Sequence, residues 1–250
     1  MNRSSHLDET QLLKHISLDC VVFGFHDSQL KVLLLRMKRT KDWALPGGFV
    51  LLDESIEIAA SRVLRERTGL DHIFLKQFKV FSSPDRSNTN PGVQDLLDSG
   101  AIDDSSWFNQ RFISVGFYAL VDFSKAEPTP DLFSDLCHWK SLEDIDLLIL
   151  DHNQILDKAL ETLRLQLNYQ PIGYNLLPDR FTMPELQKLY ETILGKELDR
   201  RNFQRKMLSN DILCKLEERK TGGAHKAPFL YEFNLENYGK ALKHGFNGGW

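Results

Sequence analysis

At 250 residues the chain is long for one ordinary domain and comfortable for two, since single domains cluster near ~100–150 residues. Hydrophobic residues at 42% and charged residues at 26% exclude a disordered or fibrous chain, and no apolar run approaches the ~18 residues needed to span a bilayer. The net charge of −4 is unevenly spread: residues 1–170 carry 18 Lys/Arg against 25 Asp/Glu, net −7, while residues 171–250 carry 13 against 10, net +3. Only the C-terminal part therefore suits a polyanionic partner.

The polar start Met1-Asn2-Arg3-Ser4-Ser5-His6 lacks the apolar core of a secretory signal, which points to a cytoplasmic protein with no membrane partner. Leu18–Phe25 and Leu30–Met37, separated by His26-Asp27-Ser28-Gln29, predict a β-hairpin. After Pro46-Gly47-Gly48, a helix is predicted over Ser55–Thr68, with Ile56, Ala59, Ala60, Val63 and Leu64 apolar and Gly69 closing it. Strands follow at Ile73–Phe81 and Phe112–Phe123. The polar insertion between them, Ser83–Gln110, has the composition of either a functional lid or a disordered segment. Cys20, Cys137 and Cys214 are odd in number and far apart, which predicts buried reduced thiols and no metal site.

An amphipathic helix is predicted from Asp151 to Asn168, with Ile155, Leu156, Ala159, Leu160, Leu163 and Leu167 on one face. Gln170-Pro171-Ile172-Gly173-Tyr174-Asn175 interrupts it and marks a domain junction. The expected organisation is a first domain at 1–150, a connecting helix and linker at 151–174, and a second domain at 175–250. Thr182-Met183-Pro184-Glu185 fits a capping box launching a helix with Leu186, Leu189, Tyr190, Ile193 and Leu194 inward, stopped by Gly195. Asp199 caps a second helix, Arg200–Leu208, with Phe203, Met207 and Leu208 toward the core. Strands at Ile212–Leu216 and Phe229–Phe233 flank the basic, glycine-rich tip Arg219-Lys220-Thr221-Gly222-Gly223-Ala224-His225-Lys226.

The segment Gly48-x5-Glu54-x7-Arg62-x-Leu64-x-Glu66-x-x-Gly69-Leu70, approached by Trp43-Ala44-Leu45-Pro46-Gly47, resembles the Nudix box, Gly-x5-Glu-x7-Arg-Glu-U-x-Glu-Glu-x-Gly-U with U aliphatic. The resemblance implies an α/β/α Nudix sandwich over residues 15–150. In an active member the three acids after the arginine share one helix face and hold divalent metal against a diphosphate. Here those places are Val63, Glu66 and Arg67: one carboxylate of three, beside a permanent cation. Glu57 lies nine residues, and so half a turn, from the face of Glu66. No catalytic set and no metal site are therefore expected. Glu54, Arg62 and Glu66 can instead form an ion-pair network holding loop to helix. What remains is a binding site for a small effector, for which Arg36, Arg39, Trp43, Glu54, Asp85 and Arg86 are candidate lining residues.

Gly173-Tyr174-Asn175-Leu176-Leu177-Pro178, Phe181-Thr182-x-x-Glu185-Leu186-Gln187-x-Leu189-Tyr190-Glu191 and Leu198-Asp199-Arg200-Arg201-Asn202-Phe203-x-Arg205-Lys206, placed after such a box, resemble the Nudix-related transcriptional regulators. That group contains NAD-metabolism repressors and arabinose-responsive regulators. The resemblance covers nearly the whole chain and implies an α+β protein: a Nudix sandwich followed by a winged helix-turn-helix domain, working as a homodimer on operator DNA. Arg200, Arg201 and Asn202 offer donors for base edges in the major groove, and Gln204, Arg205 and Lys206 add base or phosphate contacts. Arg219, Lys220, His225 and Lys226 suit a wing on the adjacent backbone. The expected effector is a sugar, a sugar phosphate or an ADP-ribose-like metabolite, with the first two favoured because a diphosphate ordinarily requires metal.

Two alternatives remain open from the sequence. The chain is an active Nudix hydrolase of a nucleoside diphosphate derivative, using magnesium held by Glu54, Glu66 and loop acids among Asp95, Asp98, Asp103 and Asp104. Or the basic helix serves an acidic protein surface rather than DNA.

Overall fold

The computed structural model describes residues 9–71, 73–87, 110–220 and 227–245. The chain divides into two compact units, one of residues 1–23, 31–119 and 124–159 and the other of residues 24–30, 120–123 and 160–250. The division falls between Ala159 and Leu160, inside a helix and ahead of the Gln170–Asn175 break.

The first unit is organised on a seven-stranded sheet. β1 (Leu12–His26) and β2 (Gln29–Met37) form the expected hairpin, but the turn is tighter than His26–Gln29. Asp27 and Ser28 are its only loop residues, both left-handed with φ of 49° and 60°, as a two-residue turn matched to strand twist requires. β3 (Trp43–Ala44) and β4 (Gly47–Leu51) are short; β5 (Phe74–Phe81), β6 (Ile113–Val121) and β7 (Ser134–Ser141) complete the sheet. The strand order is β3-β2-β1-β6-β5, with β4 on β1 and β7 on β2. Residues 18–24 of β1 are buried without alternation, the pattern of a strand covered on both faces.

The β1–β4 register sets Asp19 opposite Gly47 and Leu18 opposite Gly48. Both glycines are sterically required. A Cβ on Gly47 would lie 2.5 Å from the Leu18 carbonyl oxygen, and one on Gly48 would lie 2.8 Å from Val63 Cγ2. α1 (Ile56–Thr68) packs on β4; Ser55 accepts from the Ile58 N–H at its start, and Gly69, at φ 71°, closes it by donating to the Arg65 carbonyl.

α2 (His152–Leu167) is one uninterrupted helix. Ile155, Leu156 and Ala159 are buried in its first half, Leu163 and Leu167 in its second. Among the described residues no helix is long and apolar enough to cross a membrane.

The second unit holds a three-stranded antiparallel sheet in the order β8-β10-β9, from β8 (Phe181–Thr182), β9 (Leu213–Arg219) and β10 (Phe229–Phe233). Between β8 and β9 come α3 (Met183–Leu194) and α4 (Arg200–Ser209), and α5 (Leu235–His244) follows. This is helix-turn-helix with a wing. The capping box is formed in full: the Thr182 hydroxyl accepts from the Glu185 N–H, and a Glu185 carboxylate oxygen accepts from the Thr182 N–H at 2.8 Å. Tyr190 and Phe203 meet edge to face at 5.3 Å and fix α3 against α4. Leu208, expected in the core, is 38% exposed, because Phe203 and Met207 already fill the inward stripe of a ten-residue helix.

Two glycines test this packing. Gly47→Ala is expected to destabilise the chain by ~1–3 kcal/mol through the clash with the Leu18 carbonyl. Gly239→Ala, inside α5 with open space around its Cβ, is expected to stabilise by about 1 kcal/mol. Urea denaturation of both variants measures the contrast.

Candidate effector site and nucleic-acid interface

The glycine-to-helix segment is held by one arginine. Arg62 on α1 donates to both oxygens of Glu54, from Nη2 at 2.6 Å and from Nε at 3.1 Å, and from Nη2 to the Phe49 carbonyl at 2.9 Å. Glu54 also accepts from the Leu51 N–H at 2.9 Å. The Arg62 hydrogen bond, aided by that backbone donor, keeps the Glu54 carboxyl below its ordinary range against the opposing effect of burial. Loop 49–54 is thereby pinned to α1, as the ion-pair reading of Glu54, Arg62 and Glu66 anticipates.

The remaining box positions are arranged against a divalent cation. Val63 is buried with its Cγ2 against Gly48. Glu66 faces two guanidinium groups, Arg67 Nη2 at 3.3 Å and Arg62 Nη1 at 3.9 Å, and Arg67 reaches on to the Thr129 carbonyl at 3.3 Å. Among the described residues the donor set is a poor one for magnesium, because the surviving carboxylate lies between two cations. Among the described residues no group of three His, Cys, Asp or Glu is placed to hold a metal ion. Asp95, Asp98, Asp103 and Asp104 lie outside the described residues, as does most of the Ser83–Gln110 insertion.

The predicted lining residues fall into separately bonded groups. Arg36 and Trp43 are neighbours in the β2–β3 register. Arg36 pairs with Asp135 at 2.8 Å, Lys41 pairs with the same carboxylate at 2.5 Å, and Lys140 Nζ sits 4.1 Å over the Trp43 ring. Those two hydrogen bonds, Arg36 first, hold Asp135 down to about 2. Arg39 and Asp85 are exposed.

Arg86 differs from its expectation as a surface lining residue. It is 7% exposed and forks onto Asp151, with Nε to Oδ2 at 3.0 Å and Nη2 to Oδ1 at 2.9 Å, while Nη2 also meets Asp19 Oδ2 at 3.1 Å. The Ser114 hydroxyl donates to that Asp19 oxygen at 2.5 Å, and His152 Nε2 stands 3.4 Å from Asp19 Oδ1. Burial alone would raise the Asp19 pKa, but His152, Arg86 and Ser114 outweigh it and hold the acid well below the usual carboxylate range. Sequence reasoning missed this cluster. Its signal was Asp19 itself, a lone charge inside the apolar run Leu18–Phe25.

On the second unit, α4 presents Arg200, Arg201, Asn202 and Arg205 to solvent. Asp199 caps the helix by accepting from the Asn202 N–H at 2.8 Å, and Arg205 donates to the Asn202 side-chain oxygen at 2.8 Å. Gln204 is half-buried. Lys206, a candidate DNA contact, has its ammonium nitrogen screened from solvent, and burial pushes it down to about 8. On β9, Arg219 lies over the Phe229 ring at 3.8 Å and donates to the Ala227 carbonyl at 2.8 Å. Lys220 pairs with Glu185 of the capping box. Thr221–Lys226, including His225 and Lys226, lie outside the described residues.

The lysine provides a pH test. A base whose folded pKa lies below its unfolded value of ~10.4 costs stability while charged, and that cost fades as pH rises from about 8 toward 10. Lys206→Met is therefore expected to melt above the wild type at pH 7, with the gap closing by pH 10. Glu54→Gln, which removes the nearer of the two carboxylates that face Arg62, is expected to cost ~1–3 kcal/mol at pH 7 in the same denaturation assay.

Comparison with known proteins accords with both units. Residues 13–163 match the NUDIX domain family, and residues 173–233 match the NrtR DNA-binding winged helix domain. The chain is 30% identical over 231 residues to the ADPR responsive transcriptional repressor NtrR of Acinetobacter baylyi, covering 89% of this chain and 83% of that protein. A segment of 68 residues is 40% identical to an ADP-ribose pyrophosphatase of Methanocaldococcus jannaschii, covering 26% of this chain and 40% of that one. In three dimensions it is similar to Shewanella oneidensis NrtR solved with a 27mer DNA, with a TM-score of 0.76 and 25% identity over 95% of this chain and all of that one. The chain belongs to the NrtR family of Nudix-related transcriptional regulators, a NUDIX domain followed by a DNA-binding winged helix.

Proposed function

We propose that this chain is a transcriptional repressor that binds operator DNA as a homodimer and is released by ADP-ribose bound in its Nudix domain. The observation that carries the reading is the pairing of a Nudix box unsuited to metal with a winged helix whose reading face is exposed. Arg200 and Arg201 stand at the start of α4, where a helix entering the major groove reaches base edges, and Arg205 lies one turn on. The repressor similarity over most of both chains supports regulation by ADP-ribose.

ADP-ribose is favoured over a free sugar or sugar phosphate. The smaller ligands are favoured only if a diphosphate needs magnesium to be bound. A protein that binds without cleaving needs charge complementarity rather than a metal, and Arg67 places a guanidinium where an active box has an acid. In this reading the pyrophosphatase-like segment retains the binding site and not the reaction.

Fluorescence anisotropy with a duplex from the region upstream of the protein's own gene tests the proposal. Saturating ADP-ribose is expected to weaken binding by ~10-fold or more, with ribose 5-phosphate and arabinose inert. Arg201→Ala should lose ~5–150-fold in DNA affinity, the range for a base-reading arginine. ADP-ribose incubated with the protein and magnesium should be recovered intact. Brisk cleavage of ADP-ribose, or release of DNA by the pentose alone, would overturn the reading.

A further inference from the structure

The buried cluster around Asp19 is an expensive way to hold a fold together. Asp19, Arg86 and His152 are each no more than 7% exposed, and Ser114 is fully buried. Replacing buried ion pairs by apolar side chains is often neutral or stabilising, so stability alone is a weak reason for such a group. Its connections are more informative. Asp19 stands on β1, Ser114 on β6, Arg86 on the turn Pro84–Ser87, and Asp151 and His152 at the start of α2. The fifth connection is to backbone: the Leu45 N–H donates to His152 Nδ1 at 2.9 Å. With Nδ1 accepting, the ring proton rides on Nε2, which faces Asp19. Leu45 precedes Pro46-Gly47-Gly48, the entry to the Nudix box, and the Pro46 carbonyl accepts from the Cys20 N–H at 2.7 Å, next to Asp19.

Two elements leave this cluster and end at one place. β1 runs on to the Gly24–Leu30 segment, where the Ser28 carbonyl accepts from the Thr192 hydroxyl at 3.2 Å. α2 runs on to Arg164, whose Nε donates to the Ile193 carbonyl at 2.8 Å. Thr192 and Ile193 form the last turn of α3, after which the chain turns through Gly195 into α4. Arg164 also places a cation at the negative end of the α3 dipole.

The geometry points to the Asp19–Arg86–Asp151–His152 cluster as the coupling element of the regulator: it senses the entry to the Nudix box through Leu45 and transmits its state along β1 and α2 to the end of α3. This rests on the reading of an ADP-ribose-responsive repressor. His152 is a positioning residue here. Its ring bridges the Leu45 N–H and Asp19, so in this proposal it decides whether a displacement of Leu45 is felt by β1 and α2.

The test measures the ratio of DNA dissociation constants with and without saturating ADP-ribose in the full chain. For the wild type the expected ratio is ~10 or more. In His152→Phe, which keeps the volume and removes the acceptor, the ratio is expected to fall below about 2, while ADP-ribose affinity and effector-free DNA affinity each stay within about threefold. His152→Asn, which restores an acceptor for the Leu45 N–H, should recover the ratio at least in half. Arg164→Ala, far from the cluster, should lower the ratio in the same way, and it decides the matter if His152→Phe does not fold. A wild-type ratio in either folded variant overturns the proposal. So does outright loss of ADP-ribose or DNA binding, since the residue would then serve one site and not their coupling. If wild-type DNA affinity ignores ADP-ribose, the repressor reading itself falls, an outcome distinguishable because there is then no ratio to lose.

Discussion

A charge in the middle of a doubly covered strand is the constraint around which the first unit is arranged. Asp19 cannot be hydrated where β1 is buried on both faces, and an isolated carboxylate in such a place costs several kcal/mol. It has to be met by donors brought from elsewhere in the chain. Arg86 comes from a turn 67 residues away in sequence, Ser114 from β6 and His152 from the start of α2. Each donor fixes the position of its own segment. The β1–β4 register also puts Gly47 opposite this acid, where a Cβ would meet the Leu18 carbonyl oxygen at 2.5 Å and the Asp19 carboxylate at 3.1 Å. One buried carboxylate thus sets the approach to the Nudix box and the root of the helix that leads to the second unit.

The Nudix box itself separates into two tasks, and this chain keeps one of them. The shape task belongs to Gly48, Glu54, Arg62 and Gly69. Glycine lets the loop close over α1, the arginine pins the loop through Glu54 and the Phe49 carbonyl, and the second glycine ends the helix in a left-handed turn. The metal task belongs to three acids on one helix face, of which only Glu66 survives. Its neighbours explain why the loss is not merely a missing ligand. Val63 contributes to the packing beneath Gly48, and Arg67 neutralises the one carboxylate left. Two acids and two arginines thus lie paired on this face, and the loop-to-helix clamp stays intact beside them.

What the sequence made legible was whatever has a local signature. The capping box at Thr182, the cap at Asp199, the left-handed stops at Gly69 and Gly195 and the inward stripe of α3 are all patterns within a few residues, and each stands where its pattern put it. The short strands β3 and β4, together with β7, carry too few residues or too mixed a pattern to stand out, and α5 went unread. The candidate site was less legible because its partners are distant in sequence. Arg86 reads as a loop cation because Pro84-Asp85-Arg86-Ser87 is polar, and nothing nearby reveals Asp19 or Asp151. Lys220 reads as a wing contact because Glu185, its partner, lies 35 residues earlier. Lys206 reads as a base or phosphate contact because helical periodicity cannot show which flank of α4 its neighbours cover.

The modest charge of the reading module bears on how such a regulator can switch. Residues 171–250 carry a net charge of only +3, and of the basic residues on α4 and at the end of β9, Lys206 is withdrawn and Arg219 lies over Phe229, while Lys220, just past the strand, is paired with Glu185. Non-specific attraction to phosphate, which scales with the number of cations that displace counterions, is correspondingly limited. In the proposed reading, affinity then depends on directional contacts of the exposed Arg200, Arg201, Asn202 and Arg205, and a bidentate contact to a base edge tolerates little displacement. A binder held mainly by diffuse charge would scarcely notice a small movement of α4. One held by a few aimed side chains loses much of its affinity when the end of α3, from which α4 departs, is repositioned.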